Sequence, residues 1–173
     1  EHALALMFAV ARHIPQASAS MRAGAWEKTK FQGRELFGKT IGIIGLGNIG
    51  RIVADRARGL RMRVIATDPW VTPRKGQELG VEMVDLDTLL ATADVVTLHV
   101  PAVDWTKGIL SAANVAKLKK GAILINAARG GLVDERAVAE AVRSGQLYGA
   151  AFDVFAEEPL AKDSPLLGVD NIV

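Results

Sequence analysis

The stretch from Thr40 to Leu60 limits the possible folds of this chain more than any other feature of its sequence. It begins with the apolar run Ile41 to Ile44, which predicts a short strand buried on both faces. The run leads into Gly45-Leu46-Gly47-Asn48-Ile49-Gly50, a turn of the form G-x-G-x-x-G. The apolar residues that then recur at helical spacing are Ile49, Ile52, Val53, Ala57 and Leu60. This order predicts one strand-turn-helix unit of a parallel sheet.

The three glycines of the turn meet the requirements of a dinucleotide-binding site. Gly45 permits a tight turn, Gly47 lets a pyrophosphate approach the backbone, and Gly50 lets the helix pack against the strand. The N-terminus of the helix presents free N–H groups and a partial positive charge to phosphates. The motif alone is weak evidence because glycine-rich turns are common, but the flanking strand and helix strengthen the prediction.

Asp68 supplies the acidic residue that such a site needs. It ends a second short strand, Val64 to Thr67, and follows Gly50 by eighteen residues. A carboxylate there can accept hydrogen bonds from both ribose hydroxyls, and its charge repels a 2′-phosphate. The sequence therefore predicts NAD rather than NADP as the cofactor. The alternative is that Asp68 only forms a turn before Pro69.

From Lys39 onward the chain alternates between strand and helix patterns, with Ser111 and Asp134 as candidate helix N-caps. Strands are predicted at 41–45, 63–67, 81–84, 95–100, 122–126 and 147–152. Helices are predicted near 48–60, 73–79, 86–92, 111–119 and 134–144. Strands separated by helices imply right-handed crossovers and a parallel sheet. The predicted fold is α/β, a doubly wound parallel sheet of the Rossmann type with six or seven strands.

Residues 1–38 precede this core and differ from it. Residues 1–13 predict an apolar helix that Pro15 stops, with His2 and His13 in structural roles. Residues 15–38 predict an irregular arm that carries Trp26, Phe31 and Phe37. Three large aromatic residues on such an arm suggest docking onto another surface, such as a second copy of the chain. The alternative is an arm that folds onto its own domain.

Composition excludes several classes of function. The formal net charge is +2 and there is no cysteine, so thiolate catalysis and zinc-thiolate sites are excluded, and no metal site is predicted. The arginines at 56, 58, 61 and 63 lack interleaved aromatic residues and are interpreted as a solvated helix end, so no nucleic acid is predicted. No apolar run approaches the roughly 20 residues that span a bilayer, so no membrane association is predicted.

The residues predicted to carry chemistry follow later strands. His99 ends the fourth strand, where ligands lie in doubly wound sheets, and packing beside the adenosine or ribose is favoured over catalysis. Arg129 stands among small residues after the fifth strand, where its planar guanidinium could hold the carboxylate and carbonyl oxygens of a 2-oxo acid. Asp153 ends the sixth strand and could bind the nicotinamide carboxamide or ribose. Glu157 and Glu158 then offer a carboxylate near the reacting centre.

Four motifs together give the chain a family resemblance over residues 1–173. They are Ala11-Arg12-His13-Ile14-Pro15-Gln16, Gly45 to Gly50, Asn126 to Gly131, and Asp153 to Pro159. With them the chain resembles the NAD-binding domain of the D-isomer-specific 2-hydroxyacid dehydrogenases.

The resemblance implies roles for individual residues. It places substrate binding on Arg129 and a catalytic glutamate on Glu158 rather than Glu157. The implied cofactor contacts are Gly45, Gly47, Asn48, Ile49, Gly50, Asp68, His99, Val100, Pro101, Ala127, Ala128, Arg129 and Asp153. Asn48 and Ile49 would contact the pyrophosphate. Around His99, and likewise from Ala127 to Arg129, the contacts would come from the backbone.

The resemblance also implies an activity and an organisation. The resemblance is strongest to members that oxidise 3-phosphoglycerate in serine synthesis by hydride transfer to NAD. Glycerate, hydroxypyruvate and lactate are the alternative substrates. A different function, that of an NAD-sensing, corepressor-like binding protein, is a further alternative. The chain is interpreted as a cofactor domain of a longer protein, with a Rossmann core at 39–173 and a homodimerisation helix and arm at 1–38. The substrate domain and the acid–base histidine would lie outside the chain, leaving it inactive alone. A cytoplasmic location is expected.

Overall fold

The computed structural model describes residues 1–173, and its centre is one sheet of six strands that all run parallel. The strands are β1 Thr40–Ile44, β2 Arg63–Thr67, β3 Glu82–Met83, β4 Val95–Leu98, β5 Ala122–Asn126 and β6 Leu147–Phe152. Their spatial order is β3-β2-β1-β4-β5-β6. The chain moves outward from β1 to β3, then returns to the other side of β1 to form β4. The predicted doubly wound Rossmann topology is therefore confirmed, with six strands.

Seven helices accompany the sheet. They are α1 His2–Ala11, α2 Ile14–Arg22, α3 Asn48–Gly59, α4 Pro73–Glu78, α5 Leu86–Thr92, α6 Ala112–Val115 and α7 Glu135–Arg143. Ser111 and Asp134 cap α6 and α7 through their side chains, as predicted. The longer helix predicted over 111–119 was wrong, because the amides of Lys117 and Leu118 bond three residues back, to Asn114 and Val115, and tighten the chain into turns.

The arm predicted to be irregular over 15–38 begins with a helix instead. Pro15 lies in the first turn of α2, where its missing N–H is not needed, so it starts a second helix rather than only stopping the first. His13, with a φ of 52°, makes the reversal between α1 and α2. The segment from Ala23 to Lys39 has no helix or strand. Trp26 and Phe37 on it are exposed, and Phe31 is half-buried.

The sheet is covered on both faces, which explains why its strands are apolar throughout. Side chains of α1 and α3 pack on one face, and Met7, Val10 and Val53 are buried there. Side chains of α5, α6 and α7 pack on the other face, around Leu90 and Val138. No helix has both the length and the apolar content that crossing a membrane requires. The carboxyl ends of the strands meet at one edge, and the strand order reverses between β1 and β4, where a doubly wound sheet has its ligand crevice.

Candidate functional site

The glycine turn after β1 has the geometry that its sequence predicts. Gly45 has a φ of 93°, and a Cβ built on it would lie 2.6 Å from the carbonyl oxygen of His99 and 2.6 Å from Cγ1 of Val100. A Cβ on Gly50 would overlap the carbonyl oxygen of Gly45. Both positions therefore require glycine. A Cβ on Gly47 would meet nothing within 4 Å, so the backbone is open on that side.

The N-terminus of α3 is also open. Gly47 is its N-cap, and no side chain caps the helix, so no side chain competes for its first N–H groups. Asn48 and Ile49 are exposed beside it. Of the residues that recur at helical spacing in α3, Ile49 and Ile52 are 60% and 43% exposed, while Val53 and Ala57 are buried.

Asp68 directs its carboxylate toward the glycine turn. Its Oδ2 accepts a hydrogen bond of 2.7 Å from the amide of Leu46, and its Oδ1 accepts one of 2.8 Å from the amide of Trp70. The second bond closes a local turn, which is the role that the alternative interpretation of Asp68 predicted. The first joins the end of β2 to the turn after β1, so the carboxylate lies at the crevice and also supports the local turn.

His99 is half-buried where β4 ends. Its amide donates to the carbonyl of Ile44 over 2.7 Å, and its Nε2 lies 3.0 Å from Oγ1 of Thr97, a buried residue. Burial lowers the pKa of the imidazole from 6.5 to about 4. The ring is therefore neutral at pH 7, which suits packing beside a ribose. Val100 is half-buried and Pro101 is exposed on the same loop.

This lowered pKa makes the stability of the fold sensitive to acid. The unfolded chain takes up the proton near pH 6.5 and the folded chain only near pH 4, so stability should be intact above pH 6.5 and fall as pH drops between these values. We expect the wild type to lose about 2 to 3 kcal/mol more than His99→Gln between pH 7 and pH 4. Urea unfolding at several pH values measures this, with His2→Gln as the control for losing an exposed imidazole. If the free energies of unfolding of the wild type and His99→Gln changed in parallel with pH, the predicted acid sensitivity would be refuted.

The loop after β5 is built around Asn126, which is buried. Its Nδ2 donates to the carbonyl of Arg129 over 3.0 Å, and its Oδ1 accepts from the amide of Ala128 over 3.2 Å. These bonds fix the backbone from Ala127 to Arg129. Asn126 had no role among the predictions from sequence, although a polar residue at the end of a buried strand is a signal that could have found it.

Arg129 itself is exposed at the carboxyl edge. Its Nη1 bonds only the carbonyl of Ala128, over 2.7 Å, and no carboxylate pairs with it. The guanidinium can therefore meet an anion from solution. Gly130, next to it, packs so closely against the carbonyl oxygen of Phe155 that a Cβ would overlap that atom. The contact brings the loop of Arg129 against the segment that carries Glu158.

Glu158 is held in a tight turn. Its Oε1 accepts a hydrogen bond of 3.0 Å from the amide of Phe155, and Glu135, the first residue of α7, accepts one of 2.7 Å from the amide of Ala156. Glu157 has no hydrogen bond of this kind and is exposed. Glu135 was not predicted to support this segment, since nothing in the local sequence marks a contact across that distance.

Asp153 begins the same segment. Its amide donates to the carbonyl of Asn126 over 3.0 Å, which holds it beside the loop of Arg129. Its Oδ1 lies 3.1 Å from Nε2 of His2, a residue predicted only as a structural part of the leading helix. The predicted site residues thus all belong to the segments that follow the carboxyl ends of β1, β2, β4, β5 and β6.

A different cleft, of about 440 Å³, opens at the opposite edge of the sheet. It is lined by Arg34, Leu36, Lys39 and Asp94, among others, and contains none of the predicted site residues. The placement of ligands at carboxyl ends of parallel strands favours the other edge as the functional one.

Comparisons with known proteins show which family the chain belongs to. The family model described as "D-isomer specific 2-hydroxyacid dehydrogenase, NAD binding domain" matches residues 4–173. A D-3-phosphoglycerate dehydrogenase of Archaeoglobus fulgidus is 51% identical over all 173 residues, which are 33% of its length. A hydroxypyruvate reductase of Thermotoga maritima is 47% identical over 175 residues, covering all of this chain and 56% of that protein. Among solved structures, the TT0316 protein from Thermus thermophilus superposes with a TM-score of 0.91 at 41% identity, covering 99% of this chain and 54% of that one.

Proposed function

Because the chain belongs to the D-isomer-specific 2-hydroxyacid dehydrogenases, as an NAD-binding domain of that family, we propose that its protein is a D-3-phosphoglycerate dehydrogenase. Such an enzyme oxidises 3-phosphoglycerate to 3-phosphohydroxypyruvate with NAD, as the resemblance implies, in serine biosynthesis. The observation that carries the proposal is the 51% identity to a D-3-phosphoglycerate dehydrogenase over the whole chain. The chain spans about a third of the length of that relative, so the activity of a whole enzyme is part of the proposal.

The cofactor would lie across the carboxyl edge. The open backbone at Gly47 and the uncapped start of α3 suit a diphosphate, and the carboxylate of Asp68 suits the ribose hydroxyls. Bound NAD supplies the acceptor for the hydride. His99, Val100 and Pro101 would line the adenosine side, while the backbone from Ala127 to Arg129 and the carboxylate of Asp153 would hold the nicotinamide side.

Arg129 and Glu158 would act on the substrate. The guanidinium of Arg129, free of any carboxylate, would hold the carboxylate and the 2-oxygen of the 2-hydroxy acid in a fixed fork. Glu158 would pair with the acid–base histidine implied by the family resemblance, outside residues 1–173, and raise its pKa. That histidine would take the proton of the C2 hydroxyl, and NAD would supply the acceptor for the hydride.

Residues 1–38 would form a homodimer interface. Ile14 and Met21 on α2 and Trp26 on the arm are 52%, 57% and 79% exposed, an apolar surface that association would cover. The proposed division into a Rossmann core at 39–173 and this interface predicts a dimer, and light scattering at tens of micromolar would detect it. We place the enzyme in the cytoplasm.

A second candidate is a reductase of hydroxypyruvate, favoured by the 47% identity to the Thermotoga maritima protein. Initial rates separate these two candidate functions. They are measured for the full-length gene product with NAD and each of 3-phosphoglycerate, glycerate and lactate. The proposal expects the highest kcat/KM with 3-phosphoglycerate. A higher value for glycerate would favour the reductase, and NADH binding without turnover of any 2-hydroxy acid would favour an NAD-sensing binding protein.

A further inference from the structure

His2 touches the nicotinamide end of the proposed cofactor site, although it belongs to the first turn of the first helix. Its Nε2 lies 3.1 Å from Oδ1 of Asp153. Both side chains are about half exposed, at 59% and 50%, so the pair adds little to the stability of the fold. Because the pair contributes little to folding and lies at the proposed cofactor site, its role is better explained by the positioning of a side chain than by stability.

Both partners are attached to rigid parts of the molecule. α1 packs against the sheet through Met7 and Val10, which are buried, so the start of the helix has a fixed place. Asp153 follows β6, and its amide is hydrogen-bonded to the carbonyl of Asn126. His2 is therefore a fixed point from which the carboxylate of Asp153 can be oriented.

We propose that His2 is a positioning residue that orients the Asp153 carboxylate toward the nicotinamide of the cofactor. His2 Nε2 lies against Oδ1, and Oδ2 has no partner in the protein, so Oδ2 is free to accept a hydrogen bond from the carboxamide N–H₂ group. Without this partner the Asp153 side chain can rotate, and part of the binding energy is lost in ordering it again. The inference rests on the proposed NAD site and adds to it a residue from outside the Rossmann core.

The test compares NADH with ADP-ribose, which has every part of the cofactor except the nicotinamide. In the full-length gene product, His2→Leu is expected to weaken NADH about three- to tenfold and to leave ADP-ribose unchanged, because ADP-ribose lacks the carboxamide that Asp153 would bind. His2→Gln keeps an N–H donor and should bind NADH nearly as the wild type does. Glu1→Gln, at the same helix end, is the matched control, since the Glu1 side chain makes no capping hydrogen bond to the helix.

Each outcome has a distinct meaning. Equal losses for NADH and ADP-ribose in His2→Leu would show a general structural effect and overturn the inference. Unchanged NADH affinity in His2→Leu, or a His2→Gln variant as weak as His2→Leu, would also overturn it. Failure of the wild type to bind either ligand would instead refute the proposed cofactor site.

Discussion

Replacing Arg129 by glutamine is expected to lower kcat/KM for the 2-hydroxy acid by about 10²- to 10³-fold. The guanidinium has no carboxylate partner in the protein, and only Nη1 is engaged, with the carbonyl of Ala128, so its charge and its remaining N–H donors are available to a substrate carboxylate. Losing two charge-assisted hydrogen bonds costs roughly 3 to 4 kcal/mol, which corresponds to this factor. Steady-state kinetics of the full-length enzyme, together with NADH titration, measure the effect. NADH affinity should change little, because the backbone from Ala127 to Arg129 stays fixed by Asn126.

Two further variants identify the cause of the Arg129 effect. Arg129→Lys keeps the charge but loses the planar fork, and we expect it to recover only a small part of the activity. Arg63→Gln removes an arginine that starts β2, at the opposite edge of the sheet, and it should match the wild type in kcat/KM. An Arg129→Gln enzyme with activity within threefold of the wild type would contradict the substrate-binding role.

Replacing Gly47 by valine is expected to weaken NADH binding about 100-fold while the fold stays intact. The φ of Gly47 is −71°, which any residue adopts, and a Cβ there would meet nothing within 4 Å. The free energy of unfolding should therefore change by less than about 1 kcal/mol. A diphosphate on the open side of the turn would collide with the new side chain, and losing one or two of its hydrogen bonds to the turn amides costs roughly 3 kcal/mol, or about 100-fold in affinity.

Gly45→Ala provides the contrast to Gly47→Val. The Cβ of the new alanine would press on the carbonyl oxygen of His99, and the φ of residue 45 is 93°, which strains any residue other than glycine. This variant should therefore lose stability even without cofactor. Gly24→Ala shares a positive φ of 79° but meets no neighbour, and it isolates the cost of backbone strain. Chemical denaturation and NADH titration of the three variants separate fold from binding. Wild-type NADH affinity in Gly47→Val would mean that no diphosphate lies on the turn.

The features predicted correctly from sequence are those whose causes are local. The strand of Ile41 to Ile44, the glycine turn and the caps at Ser111 and Asp134 follow from periodicity, φ requirements and short-range hydrogen bonds, and the structure has them. The helix α2 was missed because Pro15 was taken as a stop, although proline suits the first turn of a helix as well as the residue after one.

What the sequence could not predict depends on residues far apart along the chain. The contacts of His2 with Asp153, and of Glu135 with the amide of Ala156, form only when the sheet brings distant segments to one edge. Ile49 and Ile52 fit the apolar period of α3, yet they are exposed, while Val53 and Ala57 are buried in the core. Periodicity gives the face of a helix only to within a residue or two.

The most direct measurement is the affinity of the protein for NADH and NADPH, followed by energy transfer from tryptophan to the bound nicotinamide. Trp70, 84% exposed and two residues after Asp68, is a suitable donor. With the Asp68 carboxylate on the ribose, NADH should bind saturably, NADPH should bind at least about tenfold more weakly, and Asp68→Ser should remove the difference. Equal affinities for the two nucleotides in the wild type, or no saturable NADH binding, would contradict the account.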